Sequence, residues 1–180
     1  MNHLIPFAAR LLSVWLFVYT QATQAEIRDP DEYFFNQSLG DYSEELELAK
    51  ESAKKGLLIM FVQDDCPFCA RMKATVLNQT QVQDYFQANF SIFHVDIEGD
   101  IEIRDLQGNV MKEKDFAFKV NRVRATPVFI FYDLKGEQLT RYTGPTSGVD
   151  DFMLLGKYVV EDEYRNQSFT RYKQNHKKSN

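Results

Sequence analysis

The sequence has 180 residues, of which 44% are hydrophobic and 14% aromatic, and it carries a formal net charge of −5. This length fits one domain with a sizeable core rather than two domains. The acidic charge balance argues against a nucleic-acid partner, because phosphate backbones attract basic surfaces.

Residues 1–25 have the layout of a secretory signal peptide. Arg10 precedes the apolar run 11–18, and the small residues of the stretch 23–25 offer a cleavage site. The apolar run is short for a helix that crosses a bilayer, which needs about 20 residues. We therefore predict export to the periplasm. If the segment stays uncleaved, it anchors the protein to the membrane.

The next elements are an arm, a helix and a strand. Residues 26–40 are polar and aromatic and predict an irregular arm laid over the domain. A capping-box-like start at Asp41 and a stop at Gly56 predict a helix from about Ser43 to Lys55. Residues 57–62 are all apolar, which predicts a strand buried on both faces.

Both cysteines of the chain, Cys66 and Cys69, lie where this strand gives way to a helical pattern. A helix N-terminus presents unpaired N–H groups and a positive dipole end to the first sulfur. A disulfide between the two would close a very small loop and constrain the unfolded chain little. Redox chemistry therefore explains the pair better than a structural staple does.

The region after the cysteines alternates between helical and strand patterns. Residues 80–90 have helical spacing, and residues 91–97 predict a second strand parallel to the first. The less regular stretch 99–111 predicts a small surface hairpin. Helical spacing resumes over 112–120.

Pro127 stands at the start of the apolar run 128–132, an unusual place because proline cannot donate to a sheet ladder. A returning edge strand over 137–143 and an amphipathic helix from Val149 to Tyr164 are predicted next. Residues 165–180 carry five Arg and Lys residues and no acid, and they predict a flexible basic tail. Docking to an anionic membrane surface is the alternative use of this tail.

The element order, the Cys66-Pro67-Phe68-Cys69 motif and the Thr126-Pro127 pair together resemble the thioredoxin superfamily. Within it, the stretches 56–61, 95–96 and 113–127 are most similar to the SoxW-like, or thioredoxin-related, exported proteins of bacteria. The resemblance implies an α/β fold over residues 26–164, with a central mixed sheet flanked by helices. The arm and a small insertion before the cis-proline strand would be additions to that fold.

The resemblance also implies site roles. Cys66 would be the nucleophile and Cys69 the resolving cysteine, with Pro67 in the first helical turn and Phe68 forming an apolar rim for substrate. The Thr126–Pro127 bond would be cis, and the Thr126 backbone would pair with an extended client segment. In that fold, we expect the helix N–H groups to lower the pKa of the Cys66 thiol and the neighbouring Asp64 and Asp65 to oppose that shift.

Three positions depart from ordinary thioredoxins. Asp65 stands where a tryptophan is usual, Met60 replaces the buried acid that moves protons, and His94 aligns with the buried lysine of the second strand. His94 is either a half-buried core residue or a proton relay. The redox potential therefore cannot be copied from the family.

The predicted function is an exported thiol–disulfide oxidoreductase that reduces disulfides in periplasmic client proteins, recharged by a membrane electron donor of the DsbD or CcdA type. We expect a monomer without a cofactor. We also expect no metal, because a closed zinc site needs about four ligands. One alternative is a DsbA-like oxidant or isomerase, since Pro-Phe between the cysteines resembles oxidase motifs. The other is a non-catalytic binding module or redox sensor.

Overall fold

The computed structural model of the protein describes residues 27–179. The predicted signal peptide at 1–25 lies outside these residues. Within the described part of the chain, no helix combines the length and the apolar character needed to cross a membrane.

Four strands form the central sheet, in the order β2-β1-β5-β6, and a separate two-stranded hairpin is formed by β3 and β4. Strand β1 runs parallel to β2 and antiparallel to β5, and β5 pairs antiparallel with the edge strand β6. The predicted mixed sheet and the predicted hairpin are both confirmed. The strands are β1 Gly56–Val62, β2 Phe90–Asp96, β3 Glu102–Arg104, β4 Val110–Lys112, β5 Val128–Tyr132 and β6 Gln138–Thr143.

Helices cover both faces of the sheet. They are α1 Pro30–Tyr33, α2 Tyr42–Glu51, α3 Pro67–Met72, α4 Thr80–Asn89, α5 Glu113–Asp115, α6 Val149–Val160 and α7 Phe169–Ser179. Helix α3 continues as a π-helical turn over Lys73–Leu77, and α5 continues as another over Phe116–Val120. The Asp41 carboxylate caps α2 by accepting hydrogen bonds from the backbone N–H groups of Ser43 and Glu44.

The core has two layers because side chains of a strand alternate between its faces. Leu58 and Met60 of β1 face the layer that contains both cysteines, together with Phe86 and Phe152 of the helices. Leu57, Ile59 and Phe61 of β1 face the second layer, which includes Tyr42 of α2 and Phe116. The prediction that β1 is buried on both faces is therefore confirmed.

The arm is more closely integrated than its polar sequence suggests. Phe34 is fully buried in the layer that holds the cysteines. The Asn36 backbone N–H donates to the Ile92 carbonyl, and the Asn36 side-chain oxygen accepts from the Ile92 N–H, both at 2.7 Å. These two hydrogen bonds cover the outer edge of β2, which would otherwise present unpaired backbone groups.

The C-terminal segment differs from the predicted flexible tail over 165–180. Phe169–Ser179 form helix α7, and Tyr172 is only 3% exposed. The Tyr172 hydroxyl donates to a Glu161 carboxylate oxygen at 2.8 Å, and its ring lies 5.3 Å from that of Tyr158. These contacts with the end of α6 supply the burial that the polar composition of the segment does not reveal.

Candidate active site

The two cysteines are joined as a disulfide at the start of α3, with their Cα atoms 5.2 Å apart. Cys66 is the N-cap of the helix, and Pro67 occupies the first helical position. The Cys69 backbone N–H donates a hydrogen bond to Cys66 Sγ at 3.0 Å. After reduction, this donor and the helix N-terminus would stabilise a Cys66 thiolate.

The helix turn between the cysteines offers an apolar surface to solvent. Cys66 and Cys69 are 7% and 5% exposed, whereas Phe68 between them is 53% exposed. Pro67 is exposed as well. The Phe68 ring is therefore an exposed apolar surface next to both cysteines in sequence.

The Thr126–Pro127 peptide bond is cis. Pro127 is buried and Thr126 is half-buried, directly before β5. The register pairs Val128 with Phe61 of β1, so Thr126 and Pro127 extend toward the end of β1 from which the Cys66 loop emerges. The sheet therefore brings the Thr126–Pro127 pair and the Cys66 loop to the same end of the central strands.

A cleft of about 290 Å³ opens beside the disulfide, and Thr126, Pro127 and Phe68 do not line it. His94 lies in this cleft, placed opposite Met60 by the pairing of β2 with β1. The lining residues are Val62, Gln63, Asp64, Cys66, Cys69, Ala70, Lys73, His94 and Asp96.

His94 stays open to solvent while one face of its ring packs edge-on against Phe35, with centroids 5.0 Å apart. Desolvation, followed by the positive charge of Lys73, lowers the pKa of His94, and the carboxylates of Asp31 and Asp96 oppose the shift. The lowered pKa favours the neutral imidazole, which is the form that can accept a proton.

Met60 is fully buried in the same core layer as both cysteines. Strand β1 thus places a thioether, not a carboxylate, in the core layer that contains both cysteines. Among residues 27–179, no group of three or more His, Cys, Asp and Glu side chains is arranged to hold a metal ion.

Sequence reasoning missed Lys73, Asp31 and Phe35. Lys73 Nζ forms an ion pair with Asp31 Oδ1 at 2.6 Å and lies 5.4 Å from the centre of the Phe35 ring. The position of Lys73 four residues after Cys69 could have indicated that the two side chains lie near each other, because residues with this spacing share a helix face. Nothing in the local sequence of the arm points to Asp31 or Phe35.

The family model of the thioredoxin-like domain matches residues 42–158. No curated protein matches the sequence at a significant level. Among solved structures, a thioredoxin-fold protein from Helicobacter pylori is 17% identical, with a TM-score of 0.56, and the match covers 76% of this chain and 99% of that one.

Two further solved structures are similar. A putative disulphide-isomerase from Bacteroides thetaiotaomicron is 22% identical with a TM-score of 0.56, and the match covers 77% of this chain and 97% of that one. The DsbH oxidoreductase is 19% identical with a TM-score of 0.54, over 72% of this chain and 88% of its own. At these identities the structural likeness shows a shared fold.

Proposed function

We propose that this chain, which belongs to the thioredoxin-like domain family, is an exported, monomeric thiol–disulfide oxidoreductase. It would be of the SoxW-like kind and would reduce client proteins in the periplasm. The observation that carries the proposal is the Cys66–Cys69 disulfide at the N-terminus of α3, beside an exposed aromatic rim. A structural disulfide closing so short a loop would stabilise the fold little.

The reaction consists of two thiol–disulfide exchanges. The Cys66 thiolate attacks one sulfur of the client disulfide, the client S–S bond breaks, and the other client sulfur leaves as a thiolate that takes up a proton. The Cys69 thiolate then attacks the Cys66 sulfur, forms the Cys66–Cys69 disulfide and releases the second client thiolate. Two electrons pass from the dithiol to the client, and a membrane thiol donor of the DsbD or CcdA type returns two electrons to the protein.

Client binding would use the exposed edge of the motif. The Phe68 ring would contact apolar client side chains, and the Thr126 backbone, held beside the cis Pro127, would pair with an extended client segment. This arrangement recognises backbone more than sequence, so it suits a reductant with several clients.

His94 would accept the proton that Cys69 must lose before it attacks Cys66. Both side chains line the same cleft, and the lowered pKa favours the neutral imidazole, which can act as a base. The proton then passes to solvent, to which His94 is open. Since Met60 replaces the family acid, no carboxylate at that position competes for the role.

The direction of electron flow separates a reductant from a DsbA-like oxidant. A reduction potential near about −270 mV supports the reductant, and one near about −120 mV supports the oxidant. Equilibration of the purified protein with defined glutathione mixtures gives this value.

A trapping experiment tests the assignment. Cys69→Ser protein, expressed with its export signal, should accumulate mixed disulfides with clients, because the second exchange is blocked. The matched Cys66→Ser variant should trap far less, since the nucleophile is missing. Equal, low recovery of mixed disulfides from the two variants would support a binding module without redox turnover.

A further inference from the structure

The cleft beside the disulfide is bordered by the N-terminal arm, residues 27–40 of the described chain, which precedes the segment that the family model matches. Phe35 of the arm packs on His94, and the arm's Asp31 pairs with Lys73. The arm therefore reaches two of the ionisable side chains that line the cleft with the cysteines.

The arm is held firmly enough to have a defined electrostatic effect. Phe34 is fully buried in the core layer of the cysteines, and the Arg28 backbone N–H donates to the Asn78 carbonyl at 3.0 Å. The paired hydrogen bonds of Asn36 with Ile92 fix its other end. The Asp31 carboxylate is thus presented to Lys73 from a segment anchored on both sides.

Lys73 is placed to act on the sulfurs. It follows Cys69 by one helical turn, a spacing that puts Cβ atoms about 5–6 Å apart, and it lines the cleft with both cysteines. Its side chain is 32% exposed and its ammonium group also lies over the Phe35 ring. A cation at this place favours a thiolate over a thiol, and the Asp31 carboxylate offsets part of its charge.

We propose that the N-terminal arm tunes the redox centre: Lys73 raises the thiolate fraction of the reduced Cys66/Cys69 pair, and Asp31 is the positioning residue that holds and partly neutralises Lys73. The inference rests on the proposed function, because it concerns the same dithiol. The charged and titratable groups that face the sulfurs in the cleft are Asp64, Lys73, His94 and Asp96, with Asp31 behind Lys73.

Charge substitutions at the two partners distinguish tuning from simple structural support. Either Asp31→Asn or Lys73→Gln removes the ion pair, so a structural role would change both proteins in the same direction. Tuning predicts opposite changes. A unit charge about 6 Å away in water-like screening moves a pKa by roughly half a unit. We therefore expect the pKa of Cys66 to rise by roughly this amount in Lys73→Gln and to fall by less in Asp31→Asn, because the carboxylate lies behind Lys73.

The pKa is measured on the reduced protein by the pH dependence of iodoacetamide alkylation, and the potential by equilibration with glutathione. A shift of half a unit changes the acid dissociation constant of the thiol about threefold, which moves the reduction potential by about 15 mV at a pH above the thiol pKa. Asp31→Asn should be the more oxidising protein and Lys73→Gln the more reducing one. The double variant should return close to the wild-type values.

Asp84→Asn is the matched control. It also removes one carboxylate and one ion pair with the arm, that of Asp84 with Arg28 at 3.2 Å, but Arg28 does not line the cleft, whereas Lys73 does. Its thiol pKa should equal that of the wild type. Shifts of the same sign in Asp31→Asn and Lys73→Gln, or no shift in either, would overturn the inference while leaving an active oxidoreductase. A dithiol that does not equilibrate with glutathione would overturn the proposed function and this inference together.

Discussion

Phe68→Ala should separate client recognition from redox chemistry. The ring lies between the two cysteines and is 53% exposed, so its removal leaves the core intact. Because the ring is an exposed apolar surface between the two cysteines, we expect a protein client that reacts with Cys66 to cover it. A small disulfide can reach the sulfurs without doing so.

The exposed area sets the size of the effect. A phenylalanine side chain buries about 150–250 Å² when fully covered, and with 53% of the residue exposed, roughly 100 Å² is available to a partner. At about 25 cal/mol per Å² this gives at most about 2.5 kcal/mol. Because ordering of the client consumes part of this gain, we expect about 1.4 kcal/mol, or a tenfold rise in KM for a protein substrate.

The assay compares steady-state reduction of insulin with that of glutathione disulfide by Phe68→Ala and wild-type protein. Insulin turnover should show the raised KM, whereas turnover of glutathione disulfide should be unchanged. Leu48→Ala is the control, because Leu48 is 47% exposed on α2, which packs on the core layer away from the cysteines. An equal KM for insulin in Phe68→Ala and wild type would refute the role of the ring in client binding.

Substitutions at three other positions have defined outcomes. Tyr172→Ala should lower the free energy of unfolding, measured by urea denaturation, by about 3 kcal/mol, because it empties the site of a buried ring. Tyr172→Phe removes only the hydroxyl and should lower this free energy by about 1 kcal/mol. A wild-type denaturation midpoint for Tyr172→Ala would show that α7 does not pack against the domain. Asp41→Ala should cost about 1 kcal/mol through loss of the α2 cap. The hydrogen bond from Ser43 holds the pKa of Asp41 below its usual range. The difference in free energy of unfolding between wild type and Asp41→Ala should therefore be present at pH 5 and should shrink as the pH falls through that lowered pKa. A difference that persists unchanged at pH 2 would contradict this. His94→Gln should slow the resolution of a preformed mixed disulfide, most strongly at pH values where the wild-type imidazole is neutral. The rate is measured by stopped-flow detection of a chromogenic thiol as it is released. An identical pH profile in both proteins would show that His94 only packs in the structure.

The parts of the fold that sequence reasoning predicted have strong local signals. Six consecutive apolar residues at 57–62 predicted β1, and the alternation at 91–97 predicted β2 beside it. The two cysteines at the junction with a helix marked the redox pair, because spacing alone places them on the first turn. Such features depend on neighbours in sequence, so they are visible without the fold.

The remaining parts depend on contacts between distant residues. Helix α7 is polar in composition and is held by Tyr172 against Tyr158 and Glu161 of the preceding segment. Asp31 meets Lys73 across 42 residues of sequence, and no local pattern indicates that pairing. His94 was identified by its place in the predicted strand, but its neighbours Phe35 and Lys73 follow only from the packing of the arm.

The most direct test of dithiol exchange at Cys66 and Cys69 is the reaction of fully reduced protein with excess insulin. Both products are analysed by mass spectrometry after acid quenching. Each protein molecule should gain the Cys66–Cys69 disulfide while one insulin disulfide is reduced, and Cys66→Ser should reduce none. A dithiol that stays reduced in the presence of insulin, or insulin reduction that persists in Cys66→Ser, would contradict this exchange.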